Sequence, residues 1–323
     1  MQTLTEQLDS LYSTTWQIMK KKAVDNIFNA TPLTYWLYKG GRVKKESGGR
    51  WIGQQLMYAK NTTVKSLGPG GKVNITNTDP LTTAVFNWKL LAGSVIRLHS
   101  DDTENTGKEA MMNLADSKLK NLELSMIDAM EGQLMGDGTG NGGQDLDGLG
   151  LFVPTNPALG VVGGIDRAVA ANAWWRSFHR DVSVTGMITG DNTYAFNLRK
   201  TYNAVSIGND HPTMIISGLD VYEGYESALT VLLRIYDASM GDAGFEALKF
   251  KGAALTYSPS HPAGAARLLN ERYIGLTINT HADFAMTDWK PIPDQLDRVA
   301  QVILKGNLVM SNGRMQGHVS GWT

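Results

Sequence analysis

The sequence predicts an α+β protein in which one long helix precedes a mixed unit of helices and strands. Three observations indicate this class: apolar residues recur every three to four positions over residues 102–135, residues 50–59 and 82–91 alternate with period two, and short helical and strand patterns intermingle beyond residue 150. With 323 residues and 42% hydrophobic content, the chain can bury a large core and is expected to divide into two structural units.

Residues 1–43 are predicted to form an N-terminal arm. Apolar side chains keep one face of a helical pattern over residues 3–38, which favours packing against the chain's own body or a neighbour. Contact of the Lys20-Lys21-Lys22 triplet with nucleic acid is the alternative. Pro32 and then Gly40-Gly41 are expected to end this arm.

Residues 44–91 are predicted to form an extended loop built on a β-hairpin. Ile52 and Leu56 share one face of the first strand, and Ala84 and Phe86 share one face of the second. The polar tract between them turns at Gly68-Pro69-Gly70-Gly71 and is too long and polar to hold a core of its own. We therefore expect this loop to rest on another surface.

The long helix is predicted over residues 102–135. Asp101 and Glu104 resemble a capping box, and Gly136-Asp137-Gly138 ends the helical pattern. At ~1.5 Å per residue, such a helix is roughly 50 Å long. The predicted buried stripe consists of Met111, Ala115, Leu119, Leu122, Met126, Ala129 and Leu134.

Opposite charges collect on the loop and on the helix. The basic side chains of the loop are Lys60, Lys65, Lys72 and Lys89. The predicted acidic face of the helix consists of Glu109, Asp116, Glu123 and Asp128. Because opposite charges attract across an interface, we expect the loop of one copy to lie across the helix of another copy.

The glycine-rich segment after the helix is predicted to be a hinge at Gly136, Gly138 and Gly140, because glycine tolerates backbone angles that end a helix. Two alternatives compete with this interpretation. The acidic and polar side chains of the segment imitate the early positions of a calcium loop, but Gly148 stands where the bidentate Glu belongs. A formal G-x-G-x-x-G ending at Gly143 follows a helix, where a dinucleotide site requires a strand.

Residues beyond the glycine-rich segment are predicted to mix helices and strands. Helices at 194–205 and 220–234 flank a buried strand at 213–217. Strands follow at 268–279, 284–291 and 299–310, and Ser311-Asn312-Gly313 is expected to turn the chain tightly into a last strand at 314–319. The aromatic group Trp174-Trp175 is expected in a core or subunit interface, with base stacking as the alternative.

The sequence contains no motif that indicates catalysis or a cofactor. There is no cysteine, and the six histidines lack the paired spacing of a zinc site. Neither a phosphate-binding G-x-x-x-x-G-K-[ST] nor a nucleophile G-x-S-x-G occurs. We therefore expect no metal, no cofactor and no enzymatic activity, with a hydrolase whose site escapes these motifs as the alternative.

Charge and hydropathy exclude two further classes of partner. A net charge of −1 argues against a dedicated nucleic-acid-binding domain, which is usually strongly basic. No apolar run reaches the ~20 residues of a membrane span, and the polar N-terminus lacks the form of a signal peptide. We expect no membrane partner and a protein that stays soluble inside the cell that makes it.

Short motifs mark the ends of these elements. Ser100 leads the long helix, Gly136-Asp137-Gly138-Thr139-Gly140 follows it, and Asp147-Gly148-Leu149 opens the second unit. Near the end of the chain, Gly306-Asn307-Leu308 and Arg314-Met315-Gln316-Gly317 resemble a C-terminal strand pair. In this order, over nearly the whole chain, the motifs and elements resemble the major capsid protein of tailed bacteriophages with the Hong Kong 97-type fold.

The resemblance implies an organisation into domains. It implies an N-terminal arm at 1–43, an extended loop at 44–91 and an axial domain at 149–279. The peripheral domain, with the long helix as its spine, is implied at 92–148 and 280–323. Because the arm starts almost at the first residue, we expect any scaffolding to be a separate chain.

The resemblance also implies a function. The chain is expected to assemble with copies of itself, through pentamers and hexamers, into an icosahedral shell that encloses double-stranded DNA non-specifically. The implied location is the virion, after assembly in the host cytoplasm. Further implied partners are a portal, separate scaffolding and decoration proteins. An encapsulin-type compartment that encloses enzyme cargo is the alternative with the same architecture.

Overall fold

The computed structural model describes residues 31–77, 79–99, 108–183, 193–229, 248–293 and 295–322. Most of the predicted N-terminal arm and the predicted capping box of the long helix lie outside these residues. The side chains of Glu109, Met111, Ala115 and Asp116 lie outside them as well.

The described residues confirm the predicted α+β class. The helices are α1 (Pro32–Lys39), α2 (Lys108–Met135), the one-turn α3 (Leu149–Phe152), α4 (Thr193–Ala204) and α5 (Leu219–Ala228). A short helical turn at Gly140–Gly143 and a 3-10 helix at Ala170–Trp175 complete the helical segments of the described residues. The strands are β1 (Val43–Glu46), β2 (Ile52–Met57), β3 (Leu81–Phe86), β4 (Lys89–Arg97), β5 (Val161–Val162), β6 (Ile165–Asp166), β7 (Phe178–Asp181), β8 (Met214–Ser217), β9 (Leu248–Phe250), β10 (Ala253–Tyr257), β11 (Ala265–Leu269), β12 (Ile274–Asn279), β13 (Ala285–Met286), β14 (Lys290–Pro291), β15 (Arg298–Met310) and β16 (Gly317–Ser320).

The first sheet is organised around β15, its longest strand. One side of β15 pairs antiparallel with β4, from Arg298 opposite Arg97 to Gly306 opposite Lys89. The other side pairs in turn with β14, β13 and β12, and β12 pairs parallel with β1. Helix α2 packs on β4 of this sheet.

The second sheet has the strand order β7-β16-β11-β8-β10-β9. Two pairs of adjacent strands are parallel, β7 with β16 and β8 with β10, and the other pairs are antiparallel. Helices α4 and α5 lie side by side on one face of it. On the other face, Met214 and Ile216 of β8 belong to the same hydrophobic core as α2 and the first sheet. The two sheets therefore share a core.

The predicted hairpin is confirmed, and its second strand is shorter than expected. Strands β2 and β3 pair antiparallel from Ile52 opposite Phe86 to Met57 opposite Leu81, with Leu56 and Ala84 buried on the same face. The predicted strand at 82–91 does not continue through residue 91, because the chain leaves the hairpin after Phe86 and enters the first sheet as β4.

The C-terminal strands connect differently from the prediction. Residues 268–279 do not form one strand: β11 lies in the second sheet and β12 in the first. The last strand, β16, does not pair with β15 as a C-terminal strand pair but runs between β7 and β11. The two sheets are therefore not separated at the predicted boundary at residue 280. Strand β12 precedes that boundary but lies in the first sheet, and β16 follows it but lies in the second.

The proline at position 32 begins a helix, although the sequence suggested that it ends the arm. Pro32 occupies the first turn of α1, where its missing N–H has no intrahelical partner to lose. Helix α1 ends at Gly40, as expected, and Leu33 and Leu37 are fully buried against the core. Position 32 therefore marks a helix start within the predicted arm.

Candidate assembly surface and the junction beneath it

The tip of the extended loop, residues 58–80, projects from the hairpin, and nearly all of its described residues are exposed. The N–H of Tyr58 donates to the carbonyl of Pro80 at 3.0 Å, and the N–H of Gly71 donates to Gly68 at 2.9 Å. The side chains of Val64 and Ile75 are 82% and 93% exposed. Apolar side chains gain about 25 cal/mol for each Å² removed from water, so this loop favours burial against a further surface.

Three of the four predicted contact lysines lie on this loop. Lys60, Lys65 and Lys72 are exposed on residues 58–80. Lys89 lies elsewhere: it begins β4, is half-buried, and donates its ammonium to the Gly143 carbonyl of its own chain. The predicted role of Lys89 in a contact between copies is therefore corrected to a contact within the chain.

Of the acidic side chains predicted on the exposed face of α2, the structure describes two, and one of these two is exposed. Asp128 is exposed, whereas Glu123 is buried, and burial raises its pKa, against a smaller lowering effect of Lys120. The two other predicted acids, Glu109 and Asp116, have side chains outside the described residues. The buried stripe also shifts, because Ala129 is exposed while Leu119, Leu122, Met126 and Leu134 are buried as predicted.

The motifs at the end of α2 and the start of the second unit meet in one tight junction. The N–H of Gly150 donates to the Gly136 carbonyl at 2.7 Å, and the N–H of Leu146 donates to Gln133 Oε1 at 3.2 Å. Gly138 has a φ of +76° and packs against Asp147. Leu146 and Leu149 are buried.

A clamp joins two motifs that are far apart in the sequence. The N–H of Asp147 donates to Asn307 Oδ1 at 2.9 Å, and Asn307 Nδ2 donates to Asp147 Oδ2 at 2.7 Å and to the Asn87 carbonyl at 2.8 Å. Burial raises the pKa of Asp147, while Asn307 and Lys89 act to lower it. These contacts favour a fixed junction over the predicted hinge at Gly136, Gly138 and Gly140.

A side chain at position 148 is expected to disrupt this junction. A Cβ atom there would lie 2.4 Å from the carbonyl oxygen of Gly136, 2.5 Å from that of Gln133 and 2.7 Å from that of Leu134. Gly148→Ala should therefore lower the free energy of unfolding by about 1–3 kcal/mol, measured by urea denaturation. The control, Gly132→Ala, points into open space on α2 and should raise it by about 0.5–1 kcal/mol. Equal stability of wild type and Gly148→Ala would contradict this view of the junction.

A buried carboxylate on α2 holds the start of α1. Glu131, 4% exposed, accepts hydrogen bonds from the Thr34 hydroxyl at 2.8 Å and from the N–H groups of Thr34 and Leu33 at 3.3 and 3.4 Å. The hydroxyl of Ser258, at the end of β10, donates to it at 3.4 Å. Burial raises the pKa of Glu131, and these four hydrogen bonds act to lower it. One side chain thus joins α1, α2 and the second sheet.

Glu131 is not among the predicted site residues, although the spacing of residues on α2 contains a signal for it. Leu119, Glu123, Ile127, Glu131 and Met135 follow one another at four-residue spacing, and all five are buried. Two acids on the buried row of an amphipathic helix indicate polar partners inside the protein.

A row of basic side chains crosses the second sheet where it meets the end of α2. Arg267 of β11 lies opposite His318 of β16, which lies opposite His179 of β7, with 5.2 Å between the two imidazole centres. Arg267 donates to the Met135 carbonyl at 3.4 Å, a favourable place for a cation because helix C-termini carry partial negative charge. Burial, and then Arg267, lower the pKa of His318 and of the nearby His261 to about 3.

The described residues hold neither a cluster of metal ligands nor a membrane-spanning helix. No group of three or more histidine or acidic side chains among them could hold a metal ion. Over the same residues, no helix has the length and apolar character needed to cross a lipid bilayer.

The predicted aromatic pair packs inside the chain and at the base of the loop. Trp175 is fully buried and donates its indole N–H to the Val162 carbonyl, and Trp174 stacks on Tyr58 at the base of the loop.

Comparisons with solved structures identify the fold. The chain is similar to a Cyanophage A-1(L) capsid subunit (15% identity, 91% of this chain and 93% of that chain, TM-score 0.66). It is also similar to a capsid subunit of the native GTA particle (9%, 88% and 89%, 0.59) and to a virus-like particle from Pyrococcus furiosus (10%, 93% and 96%, 0.52). No protein-family profile and no curated protein sequence matches the chain. The chain therefore has the Hong Kong 97-type fold of tailed-phage major capsid proteins.

Proposed function

We propose that this chain is a major capsid protein that assembles with copies of itself, through hexamers and pentamers, into an icosahedral shell around double-stranded DNA. The observation that carries the proposal is the loop at residues 58–80, which exposes Val64, Ile75 and three lysines within a capsid-type fold. A role in the wall of a virion explains why so much apolar surface is exposed on one projecting segment. The proposed role is structural and non-enzymatic.

Fewer charged side chains are proposed to take part in the contact between copies than the sequence indicated. Lys60, Lys65 and Lys72 of one copy lie against the exposed face of α2 of its neighbour, where Asp128 supplies negative charge. The contributions of Glu109 and Asp116 to this contact stay predictions. The apolar side chains of the loop add area that charge alone does not supply.

Reversing two loop charges tests this contact. Lys65→Glu with Lys72→Glu is expected to lower the fraction of chain that sediments as particles at low salt, and high salt should partly restore it because salt screens the new repulsion. The control, Lys65→Arg with Lys72→Arg, keeps the charge and should assemble as wild type does. Undiminished assembly of the reversed variant at low salt would refute the contact.

Enclosure of DNA separates the proposal from its alternative. Particles isolated from the cells that produce them and treated with nuclease should retain double-stranded DNA if the shell is a viral capsid. An encapsulin-type compartment should instead retain an enzyme and no protected DNA. The capsid subunits among the similar structures favour the first result. Portal, scaffolding and decoration proteins are proposed as further partners, and host cytoplasm as the place of assembly.

A further inference from the structure

A cluster of three cations surrounds one aromatic ring at the β7 edge of the second sheet. The guanidinium carbons of Arg180 and Arg199 lie 5.9 and 5.6 Å from the ring centre of Phe196, and Lys200 Nζ lies 5.5 Å from it. Arg199 and Lys200 are exposed. None of the ion pairs among the described residues includes a member of this cluster. Because like charges this close repel one another, an anionic partner would stabilise the cluster.

Helix α5 has the opposite charge. It contains Asp220, Glu223 and Glu226 and no basic residue, whereas α4 contains Arg199 and Lys200 and no acidic residue. Asp220 accepts a hydrogen bond from the N–H of Gly264 and is thus engaged within the chain. Glu223 is exposed on the surface of α5. It is therefore the carboxylate best placed to meet a second molecule.

The two charged helices lie side by side on one face of the second sheet, with α4 toward its β7 edge and α5 toward its β9 edge. Helix α4 packs on β7 and β16, at one edge, and α5 packs on β10, next to the other edge strand β9. When a patch of one copy meets a different, complementary patch of the next copy, identical copies associate head to tail, and rings form if the rotation closes. The charge distribution of this sheet thus matches a ring-forming contact.

A basic cluster around an aromatic ring is also a feature of single-strand nucleic-acid sites. Two observations favour a protein partner. The cluster has only three cations in a chain of net charge −1, and its complement occurs on the same sheet, on the helix beside α4. A second copy of the chain is therefore the partner that these charges favour.

We propose that neighbouring copies meet through their second sheets, head to tail, with Arg199 and Lys200 of one copy against Glu223 of the next. This contact rests on the proposed shell function and adds to it a charge-selected interface separate from the loop at residues 58–80. In this proposal, the contact between α4 of one copy and α5 of the next arranges the subunits around a ring.

A charge swap tests the pairing. Arg199→Glu with Lys200→Glu, and separately Glu223→Lys, should each lower the yield of assembled particles at low salt by about tenfold, because each replaces attraction at the contact by repulsion. Combining all three substitutions should restore the yield to near the wild-type value. These side chains are exposed, so circular dichroism and urea denaturation of the variants should match wild type. Arg199→Lys with Lys200→Arg is the charge-preserving control.

Each outcome decides between the possibilities. Normal particle yield from both reversed variants would overturn the contact and leave the shell function standing. Loss in both without rescue by the combination would overturn the assigned pairing. Normal assembly of the Arg199→Glu, Lys200→Glu variant with less bound nucleic acid would assign the cluster to nucleic acid and overturn the proposal. A wild-type chain that forms no particle at all would instead overturn the shell function itself.

Discussion

Replacing Glu131 by alanine is expected to lower the free energy of unfolding by about 2–4 kcal/mol. The substitution removes the acceptor for the hydroxyl and N–H of Thr34, the N–H of Leu33 and the hydroxyl of Ser258. A buried donor left without a partner costs about 1–3 kcal/mol, and the sum is partly offset because the desolvated carboxylate disappears as well. The start of α1 should show the largest local effect.

Urea denaturation and amide hydrogen exchange measure these two effects. Glu131→Gln keeps one acceptor oxygen and should lie between wild type and Glu131→Ala. Asp128→Ala, an exposed change on the same helix, should alter the unfolding free energy by no more than about 0.5 kcal/mol. If exchange of the Leu33 and Thr34 amides is as slow in Glu131→Ala as in wild type, the assigned role of Glu131 is wrong.

Acidification is expected to weaken the fold through His261 and His318. Burial, and then Arg267, hold the pKa of each imidazole at about 3, against an ordinary value of 6.5. Between these two values the unfolded chain binds protons that the folded chain does not, so stability falls as the pH falls. Each pH unit in that window costs about 1.4 kcal/mol for each histidine. Glu131 has the opposite sign, because its pKa is raised, and offsets part of the loss.

The slope of the unfolding free energy against pH distinguishes the contribution of these buried histidines from that of exposed histidines. In His318→Leu, the loss of unfolding free energy between about pH 6.5 and 4.5 should be smaller than in wild type but still present, since His261 and His179, whose pKa values burial also lowers, remain. The control, His281→Leu, changes an exposed ring and should leave the slope as it is in wild type. An unchanged slope in His318→Leu would show that the row on the second sheet does not control acid stability.

Elements that bury one face of a local pattern could be predicted from the sequence. The hairpin of β2 and β3 followed from alternating Ile52, Leu56, Ala84 and Phe86, and the long strand β15 followed from the apolar run at 299–310. The D-G-L and G-N-L motifs contributed to the resemblance only together with the other motifs, and without any knowledge of their contacts. The structure supplies their physical reason: Asp147 and Asn307 bind each other, and Gly148 leaves room for three carbonyl oxygens.

Features that depend on distant pairings could not be predicted. No local pattern in the sequence indicates that β16 pairs in the second sheet instead of with β15. Its partners, β7 and β11, are distant in the sequence, and packing of the shared core brings them together. The same holds for Lys89, whose partner Gly143 lies 54 positions away. Charge counting placed Glu123 on a solvent-facing surface, whereas its spacing from Leu119 and Ile127 places it on the buried row.

Electron cryomicroscopy of particles assembled from the purified chain tests most directly whether this polypeptide acts as a shell subunit. We expect closed icosahedral particles with rings of five and six subunits, in which residues 58–80 of each subunit cover α2 of the next. A population of compact monomers, with Val64 and Ile75 folded onto their own chain, would contradict the shell function.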